Sequence, residues 1–201
     1  MEKSSKLKKP DHEKISANRE KILTTALTLF TSRGFFGTPT SLISKEAGVS
    51  TGTLFFYFKT KEDLIDTLYR RVKAEAAQEM CRVIDKQKTS KEKIRRLGTN
   101  MVELGIGNRE KLKFMEQFAH SPFVSTSAHE EGTSHFYFLG DLVKDGIREG
   151  AIRDIDPSLL FHMMAPALSG LVARASELED PAEREKIVQE GLDFIWNAMK
   201  A

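Results

Sequence analysis

The chain has 201 residues, 40% hydrophobic and 30% charged, enough to bury a core as one domain or two small ones and too apolar for a disordered tail. Its lysine-rich start, Lys3, Lys6, Lys8 and Lys9, is followed by no apolar run, so it reads as neither a secretory signal nor a membrane anchor. The longest apolar run, Leu159 to Ala173, is interrupted by His162 and Pro166 and reads as too short for a bilayer. A single cysteine, Cys81, allows no internal disulfide, and the expected location is the cytoplasm. The net charge of +2 divides unevenly: residues 1–61 carry 11 Lys/Arg against 5 Asp/Glu, a net +6, and residues 62–201 carry −4. A basic front on an acidic remainder predicts a polyanion partner for the front alone.

Helical spacing runs along nearly the whole chain. Ile22, Leu23, Ala26, Leu27 and Phe30 recur on one helix face, which closes at Arg33-Gly34. Thr38-Pro39 reads as an N-cap followed by proline at the first helical position, with Leu42, Ile43 and Ala47 as the apolar side before Gly48 ends a second, two-turn helix. Ser50 caps a third, from Thr51 to about Phe58, and Thr60 with Asp63 caps a fourth. Two short helices across a three-residue turn containing glycine predict a helix-turn-helix, whose second element enters the DNA major groove. Leu54 and Phe58, four apart, form its inner face, leaving Thr51, Gly52, Thr53, Phe56 and Tyr57 outward, with Phe55 on either side.

From Arg19-Glu20-Lys21-Ile22-Leu23 through Gly34-Phe35, Glu46-Ala47-Gly48-Val49-Ser50, Gly52-Thr53-Leu54, Tyr57-Phe58 and Lys61-Glu62-Asp63-Leu64, the sequence resembles the DNA-binding domain of TetR-family transcriptional regulators. The resemblance implies that Thr51, Gly52 and Thr53 open the recognition helix and that Lys61, at the start of the fourth helix, meets a phosphate. Phe55 departs from the family's usual tyrosine, which hydrogen-bonds the DNA backbone. The candidate DNA-binding set is Thr38, Thr40, Ser50, Thr51, Gly52, Thr53, Phe55, Phe56, Tyr57 and Lys61.

Further helices are expected over about Glu62–Lys86, Lys91–Gly105, Arg109–Phe118, Ser127–Glu149, Pro157–Ser176 and Pro181–Met199, the last two capped by Asp156 and Asp180. The resemblance implies a homodimer through these last two helices and a ligand pocket in the middle of the chain. Candidate pocket residues are Met101, Leu104, Phe114, Gln117, Phe118, Phe136, His162 and Met163, suited to an apolar or aromatic molecule; Asn100 and His120 are further polar candidates, and Pro166 is a candidate kink. Glu116 and His120 lie four apart without a third metal ligand at telling spacing, and no nucleophile–base set or phosphate-cradling glycine loop occurs, so no catalysis, metal or cofactor is expected.

The expected architecture is all-α: a basic arm over 1–15, a three-helix helix-turn-helix DNA-binding domain over 16–61, and a helical ligand-binding and dimerisation domain over 62–201. The expected function is a dimeric repressor released from a double-stranded palindromic operator by a small-molecule effector, with no membrane partner. The alternatives are a DNA-associated protein without ligand control, or a ligand-binding protein with weakened DNA binding.

Overall fold

A computed structural model describes residues 12–82, 84 and 89–201 of the chain. The arm lysines lie outside the described residues; the fourth helix, expected to run to about Lys86, ends at Met80 with Cys81 as its C-cap. Among the described residues ten helices follow in order: α1 His12–Arg33, α2 Thr40–Glu46, α3 Thr51–Tyr57, α4 Lys61–Met80, α5 Ser90–Gly107, α6 Arg109–Phe118, α7 Thr126–Ser134, α8 Tyr137–Arg148, α9 Pro157–Ser176 and α10 Pro181–Met199. The architecture is all-α, with a helix-turn-helix at the front and a helical domain behind it.

Local chemistry sets most boundaries. Gly34 takes a φ of 69° as its N–H bonds back to the Phe30 carbonyl, and Gly48 takes 66° in the turn between α2 and α3. Both are left-handed positions where a side chain would be strained. Ser50 accepts from the Thr53 N–H and Thr60 from the Asp63 N–H, while Asp63 accepts from the Lys59 N–H. Asp156 and Asp180 cap α9 and α10, each ahead of a proline in the first turn. The cap expected at Thr38 is different: Pro39 occupies the N-cap position, and the Thr38 hydroxyl donates to the Leu29 and Gly34 carbonyls instead.

The helix expected over Ser127–Glu149 is two helices, broken at His135-Phe136. Its first half packs on α4, where Gly132 lies so close to Tyr69 that a Cβ would sit 2.8 Å from the ring. Its second half packs on α5 and α9 through Val143 and Gly146. One straight helix cannot serve both surfaces, and Phe136, at φ −109° and ψ 3°, takes the corner.

A single core joins front and back. Ile22, Leu23, Phe30, Ile43, Leu54 and Phe58 from the first three helices are continuous with Leu64, Leu68 and Tyr69 of α4 and Phe114 and Phe118 of α6. A smaller cluster, including Val143, Ile152, Leu160 and Trp196, closes the far end. α4 therefore packs on both halves of the molecule, although the boundary expected at residue 61 falls at its first turn.

Asn100, expected as a polar ligand contact, is buried and donates through Nδ2 to the carbonyls of Met80 at 2.9 Å and Arg82 at 2.7 Å. It thus satisfies carbonyls left over where α4 ends. Asn100→Leu is expected to lower the unfolding free energy by about 1–3 kcal/mol, because those carbonyls lose their donor without regaining water; urea titration followed by circular dichroism measures it.

Candidate nucleic-acid interface

The short α3 is built from a cap at one end and an inner face that leaves little choice of orientation. Leu54 and Phe58 are buried, with the Arg19 guanidinium 5.5 Å from the centre of the Phe58 ring. What remains outward is Thr51, Gly52, Phe55 and Phe56, a strip at helical spacing, with Ser50 and Lys59 at its ends. Phe55 is 43% exposed and Phe56 74%, which places both rings on the solvent side. Tyr57 and Thr53 are half-buried rather than fully outward: Tyr57 packs against the core and edge-on to Phe56 at 5.1 Å, and the Thr53 hydroxyl lies 2.8 Å from that of Ser50.

Two expected site residues are engaged elsewhere. Thr38 is completely buried, so its side chain shapes the α1–α2 turn and cannot reach DNA from where it stands. Lys61 does not point its ammonium into solvent; Nζ donates to the Phe35 carbonyl and sits 3.9 Å from the centre of the Phe35 ring. Desolvation there lowers the Lys61 pKa, with Glu62 opposing the shift. A phosphate contact by Lys61 thus requires exchange of a carbonyl for a phosphate oxygen. Thr40 is half-buried, and the Thr51 hydroxyl lies 3.1 Å from that of Ser44.

Lys45, Lys59 and Phe36 were not singled out by pattern, yet all three are exposed. The lysines were visible only as part of the basic front. Phe36, 83% exposed, stands edge-on to Phe123 at 4.9 Å, a contact between the α1–α2 and α6–α7 connections that no local periodicity encodes.

The expected pocket residues do not converge. Phe114 and Phe118 are buried and packed together at 4.7 Å between ring centres. Met101, Leu104 and Phe136 are half-buried and packed against the same core. Gln117 is exposed near Gly34, while His162 and the 60%-exposed Met163 lie on the outer side of α9. Pro166 is exposed in a helix that continues through it. Two open hollows among the described residues lie elsewhere: about 290 Å³ beside Glu92, Arg95, Arg96, Thr99 and Gln189, and about 470 Å³ beside Glu20, Lys21, Thr24, Thr25, Glu46 and Ala47.

Charge ties the front to the back. Arg71 on α4 bonds Glu20 on α1 and Glu75 at 2.7 Å, and Lys111 on α6 reaches Glu75 at 2.6 Å. Desolvation pushes the Glu75 carboxyl up, but hydrogen bonds from Lys111 and Arg71 outweigh it and hold the pKa below its ordinary 4.5. A depressed folded-state pKa adds stability above the unfolded value and loses it as pH falls through the folded one. The stability gap between the wild-type chain and Glu75→Gln is therefore expected to be full at neutral pH and to close as pH falls below 4.5, as measured by urea unfolding at a series of pH values.

A short helix pair across a glycine turn, presenting exposed rings and hydroxyls beside surface lysines, defines a helix-turn-helix DNA-binding protein. Residues 22–68 match the domain "Bacterial regulatory proteins, tetR family", and residues 90–200 match "Tetracyclin repressor-like, C-terminal domain". The chain belongs to the TetR family of transcriptional regulators. It is 26% identical over 179 residues to the HTH-type transcriptional regulator YhgD of Bacillus subtilis (strain 168), covering 86% of this chain and 92% of that one. A TetR-family transcription regulator from Shewanella sp. PV-4 has the same fold, with a TM-score of 0.83 at 27% identity over 92% of this chain and 98% of its own. FadR from Bacillus subtilis, solved in complex with stearoyl-CoA, shares the fold at a TM-score of 0.70 and 20% identity, over 88% of this chain and 96% of its own.

Proposed function

We propose that the protein is a dimeric repressor, acting in the cytoplasm, whose two recognition helices read a palindromic operator and whose grip is released by a small, largely apolar effector. The observation that carries the dimer is an uncovered apolar face. At 20 residues α9 is, by length and composition, apolar enough to cross a membrane, longer than its interrupted sequence run implied, and 22% of its apolar window is buried. Leu159 is 53% exposed, Met163 60% and, on α10, Phe194 73%. α9 packs on α5, α8 and α10 along its other side, so what remains is one strip of helix, the width that a second copy covers.

For DNA, the support is the strip Thr51, Gly52, Phe55 and Phe56, where hydroxyls and rings meet base edges and thymine methyls, with Lys45 and Lys59 supplying phosphate attraction. For the effector, the fold shared with a stearoyl-CoA-bound regulator supports a molecule bearing a long apolar chain. An effector shifts the balance only by binding one conformation better than the other. α4 is the connecting element, since Lys61 opens it and Arg71 and Glu75, in its third and fourth turns, tie it to α1 and α6.

The test is a footprint on DNA flanking the protein's own gene at near-physiological salt. A protected near-palindrome supports the operator reading, and smeared protection that disappears with added salt rejects it. The close packing of the buried Phe114 and Phe118 on one another, with Gln117, His162 and Met163 exposed, favours a second reading, a DNA-binding regulator without ligand control. Operator release by an apolar molecule would exclude that alternative.

A further inference from the structure

The recognition helix α3 has seven residues, Thr51-Gly52-Thr53-Leu54-Phe55-Phe56-Tyr57, with no charged group and no side-chain amide among them. The bidentate hydrogen bonds that tell bases apart in the major groove, arginine or lysine on guanine and asparagine or glutamine on adenine, therefore cannot come from this helix. Its threonine hydroxyls are already engaged within the chain. Thr51 Oγ1 lies 3.1 Å from Ser44 Oγ, and Thr53 Oγ1 lies 2.8 Å from Ser50 Oγ, which also accepts from the Thr53 N–H. Tyr57 turns half inward and packs against the core.

What the helix holds out instead is apolar. Phe55 and Phe56 are both exposed, one turn beyond Thr51 and Gly52, while Leu54 and Phe58 are buried. The Phe56 ring is braced edge-on by that of Tyr57 at 5.1 Å, so it is held in place without being covered. One turn ahead of it the helix is bare: among the described residues, a Cβ added at Gly52 would meet only Ser50 Oγ, at 3.8 Å. A flat partner can thus come close to the ring with no side chain in the way. In the major groove the apolar group that marks a base is the 5-methyl of thymine, and covering it with a ring takes both surfaces out of water.

We infer that Phe55 and Phe56 are the specificity-determining residues of α3 and that they read the operator by its methyl groups, each ring covering the 5-methyl of one thymine in a half-site. The inference rests on the operator reading and deepens it by naming the base and the atom recognised. Lysines outside α3, such as Lys45 and Lys59, add attraction to phosphates that does not depend on sequence. A readout by methyls has a consequence that hydrogen-bond readout lacks: at the positions under the rings, 5-methylcytosine stands in for thymine, because both bases carry the methyl on C5 in the same groove.

The test starts from a site that the full-length chain selects out of random DNA duplexes at near-physiological salt. Each thymine of that site is then replaced singly by uracil, which keeps the base pair and removes only the methyl. Under the rings, affinity is expected to fall about fourfold per methyl, the equivalent of about 0.8 kcal/mol, and uracil elsewhere is expected to be silent. In Phe56→Ala, or Phe55→Ala for the thymine under that ring, the same uracil is expected to change nothing further, which separates the ring contact from any effect of uracil on the duplex itself. Phe56→Leu is expected to keep part of the sensitivity. Exchanging a sensitive thymine–adenine pair for 5-methylcytosine–guanine is expected to bind about fourfold more tightly than the cytosine–guanine exchange, since the methyl returns. A selected site indifferent to uracil at every thymine, or a sensitivity that survives in both alanine variants, overturns the inference and leaves the operator reading standing. Failure to select any sequence rejects the operator reading, and the inference with it.

Discussion

Phe30→Ala is expected to lower the unfolding free energy by about 3–5 kcal/mol, the range for a large aromatic removed from a close-packed interior. Phe30 is completely buried, 6.0 Å from Phe35 and 6.1 Å from Phe118 between ring centres. It therefore touches the α1–α2 connection and α6 at once, and its loss leaves a cavity where the DNA-binding helices meet the rest of the chain. Because the core is continuous, urea unfolding followed by circular dichroism is expected to remain one transition, shifted as a whole. Phe30→Leu fills most of the volume and is expected to lose less. A separate early transition in Phe30→Ala would show that front and back unfold independently, contrary to the shared core.

The second large effect is expected at the outer face of α9 and α10. Met163→Glu combined with Phe194→Glu places four carboxylates at the proposed two-fold interface, where both residues are exposed in the single chain and neither supports its core. Sedimentation is expected to change from dimer to monomer. Affinity for a two-half-site operator is expected to fall by about 100-fold or more, since a monomer loses the gain from tethering two reading heads. Half-sites roughly 34 Å apart can be held together only by a dimer of fixed geometry. Stability of the isolated chain should change little, as for most exposed substitutions. A double variant that remains dimeric would move the interface elsewhere.

Most helix boundaries with a local determinant were readable, Thr38 being an exception. Ser50, Thr60, Asp156 and Asp180 cap where their side-chain chemistry and spacing placed them, and Gly34 and Gly48 stand in the left-handed turns. The inner face of the recognition helix was equally legible, because Leu54 and Phe58 are four residues apart and both apolar. The outer face was less so: Phe55 shares the exposed strip, while Thr53 and Tyr57 fall halfway into the protein. A seven-residue helix turns by less than its pattern can resolve, and the packing of Tyr57 against the core settles the angle.

The sequence alone determined the all-helical class, the helix-turn-helix with its family, and the ends of most helices. The class, the motif and the helix ends follow from periodicity, capping atoms and glycine's freedom at positive φ, all of which act within a few residues, while the family rests on the resemblance of residues 19–64 to its DNA-binding domain. Tertiary structure decided what distant residues do to one another. It buried Thr38, sent Lys61 to the Phe35 carbonyl, used Asn100 to finish α4, and broke one expected helix at Phe136. It also buried Phe114 and Phe118 against one another while placing Gln117, His162 and Met163 at the surface. Composition cannot separate core from pocket, because both are built from the same apolar side chains and differ only in whether another helix reaches the space between them.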